Sequence, residues 1–160
     1  MDIDLLAATW SPRLLSLLRL IAGLMLLQFG MAKLLGFPAA PNFAHVTLLS
    51  LEGASGILEL VGGALLTLGL FARPVAFVLS GEMAFAYFIA HFPRGFIPLV
   101  NNGTLPVLFC FVFLYLSAAG SGSWSLDAVL RKRAARGSPE RSSARFDAAG
   151  PSNNPASGKM

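Results

Sequence analysis

Residues 54–72 read ASGILELVGGALLTLGLFA, and beyond Arg73 residues 74–90 continue as PVAFVLSGEMAFAYFIA. Each run carries a single charged side chain, Glu59 in the first and Glu82 in the second. A helix crosses the hydrocarbon of a bilayer with about 17–25 mostly apolar residues, and both runs are of that length. Pro74 ends one helix and can open the next, so the two runs are expected to form a tight antiparallel hairpin. Two further apolar runs flank them. One extends from Leu14 to about Leu35, with Arg19 inside it and Lys33 at its far end. The other extends from about Thr104 to Ala119, uncharged, with Pro106 in a first turn that needs no amide donor.

The reading is an all-α protein, an integral membrane four-helix bundle with both termini cytoplasmic. Its membrane domain covers residues 14–130, with spans at about 14–35, 54–72, 74–92 and 104–120. Residues 1–13 form an N-terminal cytoplasmic segment. Residues 131–160 form a basic tail whose Ser, Pro, Gly and Asn content predicts disorder. Asp2 and Asp4 stand where a signal peptide carries basic residues, and the first apolar run is too long for its apolar region, so that run is read as a retained helix. Residues 36–53 mix Pro38, Pro41, Asn42, His45 and Glu52 with apolar residues, a pattern for a short interfacial helix. Residues 92–103 have the Pro, Gly and Asn content of a loop.

Composition agrees. The chain of 160 residues is 55% hydrophobic and 12% charged, with a mean hydropathy of +0.67, whereas soluble chains carry about 25% charged residues. So few charges cannot cover a water-facing surface, and the lipid bilayer is the natural solvent. The net charge of +4 does not point to nucleic acid, because the basic residues gather at Arg131, Lys132, Arg133, Arg136, Arg141 and Arg145, directly after the last apolar run. Such a run is a cytoplasmic retention signal and suits anionic headgroups. Arg13 and Arg73 fall on the same side as that run and Lys33 and Arg94 on the other, which places both ends inside a bacterial inner membrane. Cys110, the single cysteine, excludes an intramolecular disulfide and a CxxC pair and reads as a small apolar residue.

An ionisable side chain at the centre of a membrane helix costs about 2.5–3.5 kcal/mol on insertion scales, so Arg19, Glu59 and Glu82 each need a partner, a proton or water. Depth predicts a structural ion pair between Arg19, in the inner part of the first span, and Glu82, near the middle of the third. Glu59 falls in the outer part of the second span, level with Gln28, Lys33 and His91. These residues are expected to line an outward-facing pocket roofed by Arg94, Asn101 and Asn102. Glu82 and His91 are about 180° apart around the helix and roughly 13 Å along it, so they do not form a dyad. Gly56 and Gly63 share a helix face with Glu59, and Gly62 sits beside them, where glycine lets another backbone approach closely. Glu59 is therefore open to two readings, a carboxylate that handles a proton or holds a polar ligand head, or a packing residue that fixes helix register. No HExxH, EF-hand or phosphate-loop spacing occurs, no metal site is expected, and no cofactor is evident.

The run Leu58-Glu59-Leu60-Val61-Gly62-Gly63-Ala64-Leu65-Leu66-Thr67-Leu68-Gly69-Leu70-Phe71-Ala72-Arg73 resembles the signature of the DoxX family of bacterial inner-membrane proteins. Arg19, the stretch Gln28 to Leu34, Glu82-Met83-Ala84, His91 to Phe96, Asn101-Asn102-Gly103 and Gly120 to Asp127 extend the resemblance in order over about residues 14 to 130. It implies a four-helix membrane fold. The family is named after a small subunit of an archaeal thiosulfate:quinone oxidoreductase, so it also implies an oxidoreductase subunit associated with quinone-linked electron transfer. Quinone would be a substrate, electrons would come from a redox partner subunit, and Glu59 would be the catalytic carboxylate. Many relatives have Glu near the start of the last helix where this chain has Thr104, which removes one carboxylate from the outer pocket. Two other classes stay open, a non-catalytic membrane assembly or scaffold protein and a small-solute permease. Four short helices make a conduit only as a homo-oligomer.

Overall fold

A computed structural model of the chain describes residues 3–43 and 46–136. Five helices and no strand occur among the described residues: α1 (Ile3–Leu35), α2 (Leu51–Leu68), α3 (Ala72–Ala86), α4 (Thr104–Ala119) and α5 (Leu126–Arg136). α3 runs on through a π-helical turn at Tyr87–His91 and a 3-10 turn at Phe92–Arg94. The chain divides into two compact units, Met1–Ala128 and Val129–Met160; in the second, residues 129–136 complete α5.

α1 departs from the sequence reading by starting at Ile3 instead of Leu14. Hydropathy marks where a helix enters lipid, while the helix itself propagates through the Leu and Ala residues of 5–8, which are good helix formers. The basic tail also differs, because residues 131–136 belong to α5. The rest of the predicted tail, 137–160, lies outside the described residues. Among the described residues between α1 and α2 the one helical element is a short 3-10 turn, Pro41–Phe43, in place of the expected interfacial helix; His45 lies outside the described residues.

Local chemistry explains the ends of the middle helices. Ser50 caps α2 by accepting from the Gly53 amide at 3.1 Å. Gly69, at φ 69°, closes α2 in the left-handed conformation that a side chain would strain. Phe71 precedes α3 at φ 49° and offers no capping side chain. The cap comes instead from Asp127, whose Oδ1 and Oδ2 accept from the amides of Phe71 and Ala72, both at 3.0 Å. A carboxylate at a helix N-terminus also meets the positive end of the helix dipole.

α1 to α4 run alternately up and down. Arg19 of α1 donates to the end of α2 at Leu66 and Thr67 and to the segment after α4 at Ser121 and Trp124. These contacts place the end of α2 and the end of α4 together beside Arg19. α3 starts at this end and finishes at the opposite one, which also holds Lys33. Ala22, Leu26, Leu66, Ala76, Leu79, Met83, Phe109, Phe113 and Leu116 form the core between the helices, with the Phe109 and Phe113 rings stacked at 5.3 Å. The outside is apolar too, with Val61, Phe77, Phe85, Phe88, Leu108 and Phe111 all exposed. α1, α2 and the α3 segment Ala72–Arg94 are long and apolar enough to cross a membrane, while α4, equally apolar, has 16 residues and is shorter.

Glycine decides how closely α1 and α2 approach. A Cβ on Gly63 would lie 2.6 Å from the Leu27 amide nitrogen, and one on Gly23 would lie 2.8 Å from that of Thr67. Gly30 meets the Leu60 backbone closer still. Gly56 faces Lys33 and Leu34 of α1, whereas Gly62 turns the other way, toward Leu79 of α3. The glycines of α1 and of α2 each recur at a spacing of two helical turns, which keeps one seam in register.

Candidate functional site

The close approach along the glycine seam brings Lys33 of α1 against α2. Its Nζ lies 2.8 Å from Glu59 Oε1 in an ion pair and donates to Ser55 Oγ at 2.9 Å. Ser55 sits one helical turn before Glu59 and donates in turn to Glu82 Oε1 of α3 at 2.7 Å. Four polar side chains from three helices thus form one connected chain, Glu59–Lys33–Ser55–Glu82. Glu59 is buried, with 4% of its surface exposed. The second oxygens, Glu59 Oε2 and Glu82 Oε2, are both buried and have no hydrogen-bond partner. A buried carboxylate oxygen without a donor is costly, which marks the position as one that a proton or a ligand can complete.

Above the cluster the Lys33 ammonium lies 5.5 Å from the centre of the Phe43 ring, a cation–π contact. Phe43 also forms one wall of an open groove of about 280 Å³, lined further by Ala32, Gly36, Ala39, Ala40 and Pro41. The aromatic ring thus stands between an apolar groove and the charged cluster.

The predicted Arg19–Glu82 ion pair is not formed. Arg19 is 1% exposed, and its guanidinium donates to four main-chain carbonyls: Ser121 at 3.0 Å, Thr67 at 2.8 Å, Trp124 at 2.7 Å, and Leu66. Helix ends leave carbonyls unpaired, and the planar guanidinium, with five donors, joins several of them at once. Glu82 belongs instead to the Lys33 cluster. Main-chain carbonyls, which depth and side-chain charge do not reveal, satisfy Arg19 in place of a carboxylate.

The expected outer pocket resolves into two separate groups. Gln28 is exposed and takes no part in the Lys33 cluster. His91 Nδ1 donates to the Asn101 carbonyl at 3.0 Å, and its ring stacks on Tyr87 at 6.5 Å. Asn101 is buried and holds the loop from inside, its Nδ2 donating to the Gly95 carbonyl at 2.6 Å and its Oδ1 accepting from the Gly103 amide at 2.8 Å. Arg94 and Asn102 are exposed. Among the described residues no hydrogen bond or ion pair links these four to Lys33 or Glu59. Ser55 was missed in the sequence, although its position one turn from Glu59 on a membrane helix was the available signal. Among the described residues no group of metal-ligating side chains occurs.

Comparison with known proteins agrees with this membrane architecture. The DoxX family model matches residues 14–92. An uncharacterized protein of Haemophilus influenzae is 38% identical over 122 residues, covering 74% of this chain and 91% of that protein. No solved structure matches the chain. The matched residues include α2 and α3 with the whole Lys33–Ser55–Glu59–Glu82 cluster, and the chain is a membrane protein that belongs to the DoxX family.

Proposed function

We propose that this protein is a membrane subunit of quinone-linked electron transfer, in which the Lys33–Ser55–Glu59–Glu82 cluster exchanges protons with a quinone headgroup. In this reading α4 is a fourth span, both termini are cytoplasmic and the host is a bacterial inner membrane. The support for the topology is the meeting of the α2 and α4 ends at Arg19, together with the excess of Arg and Lys at that end.

The observation that carries the proposal is the pair of buried, unpartnered oxygens, Glu59 Oε2 and Glu82 Oε2, around one ammonium. One positive charge balances one carboxylate. The other is neutral with a proton and charged without it, so the cluster as a whole has room for one transferable proton. Reduction of a quinone takes up two electrons and two protons, one from this carboxyl and the second from the same carboxyl once water has reprotonated it. Oxidation of the quinol reverses both transfers. A protonated carboxyl donates to a quinone carbonyl, and a carboxylate accepts from a quinol hydroxyl, so one site suits both forms. Ser55, which accepts from Lys33 and donates to Glu82, gives the proton a hydrogen-bonded route between the two carboxylates. Electrons come from a partner subunit that carries the redox centre.

Infrared difference spectroscopy of the reconstituted protein tests this directly. Exchange of bound quinone for quinol should produce a carboxyl band that shifts in deuterium oxide and disappears in Glu59→Gln or Glu82→Gln. A difference spectrum without any carboxyl band would remove the proton-exchange role.

A further inference from the structure

We infer that the loop of residues 95–100 is embedded in the outer leaflet of the bilayer and binds its acyl chains. The inference rests on the four-span reading of α4 given above.

Length gives the first reason. The 16 residues of α4 rise about 24 Å, whereas the hydrocarbon core is about 30 Å thick. Arg19 fixes the far end of α4 through the Ser121 carbonyl, so the shortfall falls at the end that the loop precedes. The end of the loop that leads into α4 therefore lies below the hydrocarbon boundary.

The backbone gives the second. Irregular backbone survives at membrane depth only where its polar groups are satisfied by protein. Here four consecutive carbonyls are all tied inward, while the amides of Phe96, Ile97 and Leu99 make no bond among the described residues and are left to the headgroup side of the loop. Gly95 accepts from Asn101 Nδ2, Phe96 from the Tyr87 hydroxyl at 2.5 Å, Ile97 from the amides of Val100 and Asn101, and Pro98 from the amide of Gly103. Pro98 has no N–H of its own to satisfy. Gly103 is required beneath this arrangement, since a Cβ there would lie 2.7 Å from the Tyr87 ring.

The side chains give the third. With the carbonyls turned in, Phe96, Ile97, Leu99 and Val100 turn out, at 76%, 59%, 82% and 74% exposed. They continue the outer surface of α3 without a break, because Phe88 and Phe92 pack at 5.9 Å and Phe92 and Phe96 at 6.2 Å. This aromatic ladder leads from a membrane-crossing segment directly into the loop. Arg94, exposed at the turn between them, is placed to reach headgroups while its stem stays in lipid. A continuous exposed apolar patch marks a surface that meets a membrane or a partner.

The test uses the full chain with Cys110→Ser, a nitroxide label on Leu99→Cys, and vesicles of phosphatidylethanolamine and phosphatidylglycerol. Collision of the label with oxygen reports hydrocarbon, and collision with a water-soluble nickel chelate reports water. Labels on Ile97→Cys repeat the measurement should the first variant fold poorly, and a label on Leu108→Cys reports α4 itself. Oxygen collisions several-fold above chelate collisions at Leu99 and Ile97, matching Leu108, are expected. Chelate accessibility at the loop with Leu108 in lipid would overturn the inference while leaving α4 a span. Suppression of both colliders at the loop would also overturn it, by showing a protein partner there. Chelate accessibility at Leu108 would defeat the four-span reading first.

Discussion

Lys33 is the residue on which the cluster turns, because among the described residues it is the one cation that touches it. It neutralises Glu59 and orients Ser55 toward Glu82. Removing one partner of a buried ion pair leaves the other charge uncompensated and costs about 3–5 kcal/mol. Lys33→Met should therefore lower thermal stability in detergent markedly, and the double variant Lys33→Met with Glu59→Gln should recover most of the loss. A double variant as unstable as the single one would mean that packing, and not charge, holds Lys33. Sequence reading reached Lys33 and Glu59 because both are ionisable and fall at one depth. It did not reach Ser55, whose hydroxyl carries no charge and on a helix often bonds its own backbone. Nor did it reach the partners of Arg19, because main-chain carbonyls have no letter in the sequence.

At the scale of elements the glycine seam sets the site, since Lys33 reaches Glu59 only if α1 and α2 nearly touch. Gly63→Ala would drive a Cβ to 2.6 Å from the Leu27 amide nitrogen, and neither backbone can yield as a side chain would. The variant should lose stability by at least the 1–3 kcal/mol or so typical of overpacking. Gly81→Ala is the control, because its Cβ meets nothing within 4 Å and alanine favours a helix interior over glycine by roughly 0.5–1 kcal/mol. Unfolding of both variants by denaturant should move in opposite directions. Asp127 makes an independent case. Asp127→Ala deprives Phe71 and Ala72 of their acceptors and should cost about 0.5–2 kcal/mol, the usual loss for a helix cap. The two cost estimates come from different sites and should add. The apolar runs that mark the helices were plain in sequence, yet their ends were not. α1 begins well before its hydrophobic stretch, and α3 ends in a π turn and a 3-10 turn that periodicity does not signal.

Within the unit Met1–Ala128 the described helices are clasped differently at two levels. At one end Arg19, in the middle of α1, and Asp127 tie the ends of α2 and α4 and the start of α3 together through main-chain groups. At the other, Lys33 and Ser55 link three helices through side chains and leave two carboxylate oxygens free. Among the described residues no buried side-chain polar atom at the first end lacks a partner, which suits a fixed scaffold. The second is incomplete and suits a group that arrives and leaves. Composition made the membrane setting legible and depth grouped Glu59 with Lys33, but the division of labour between the ends depends on contacts made across helices. The most direct test is the amount of quinone bound per polypeptide after gentle purification from native membranes, for the wild type and for Glu59→Gln. The account predicts near-stoichiometric quinone in the wild type and a clear fall in the variant. Quinone at the background lipid ratio in both would contradict it.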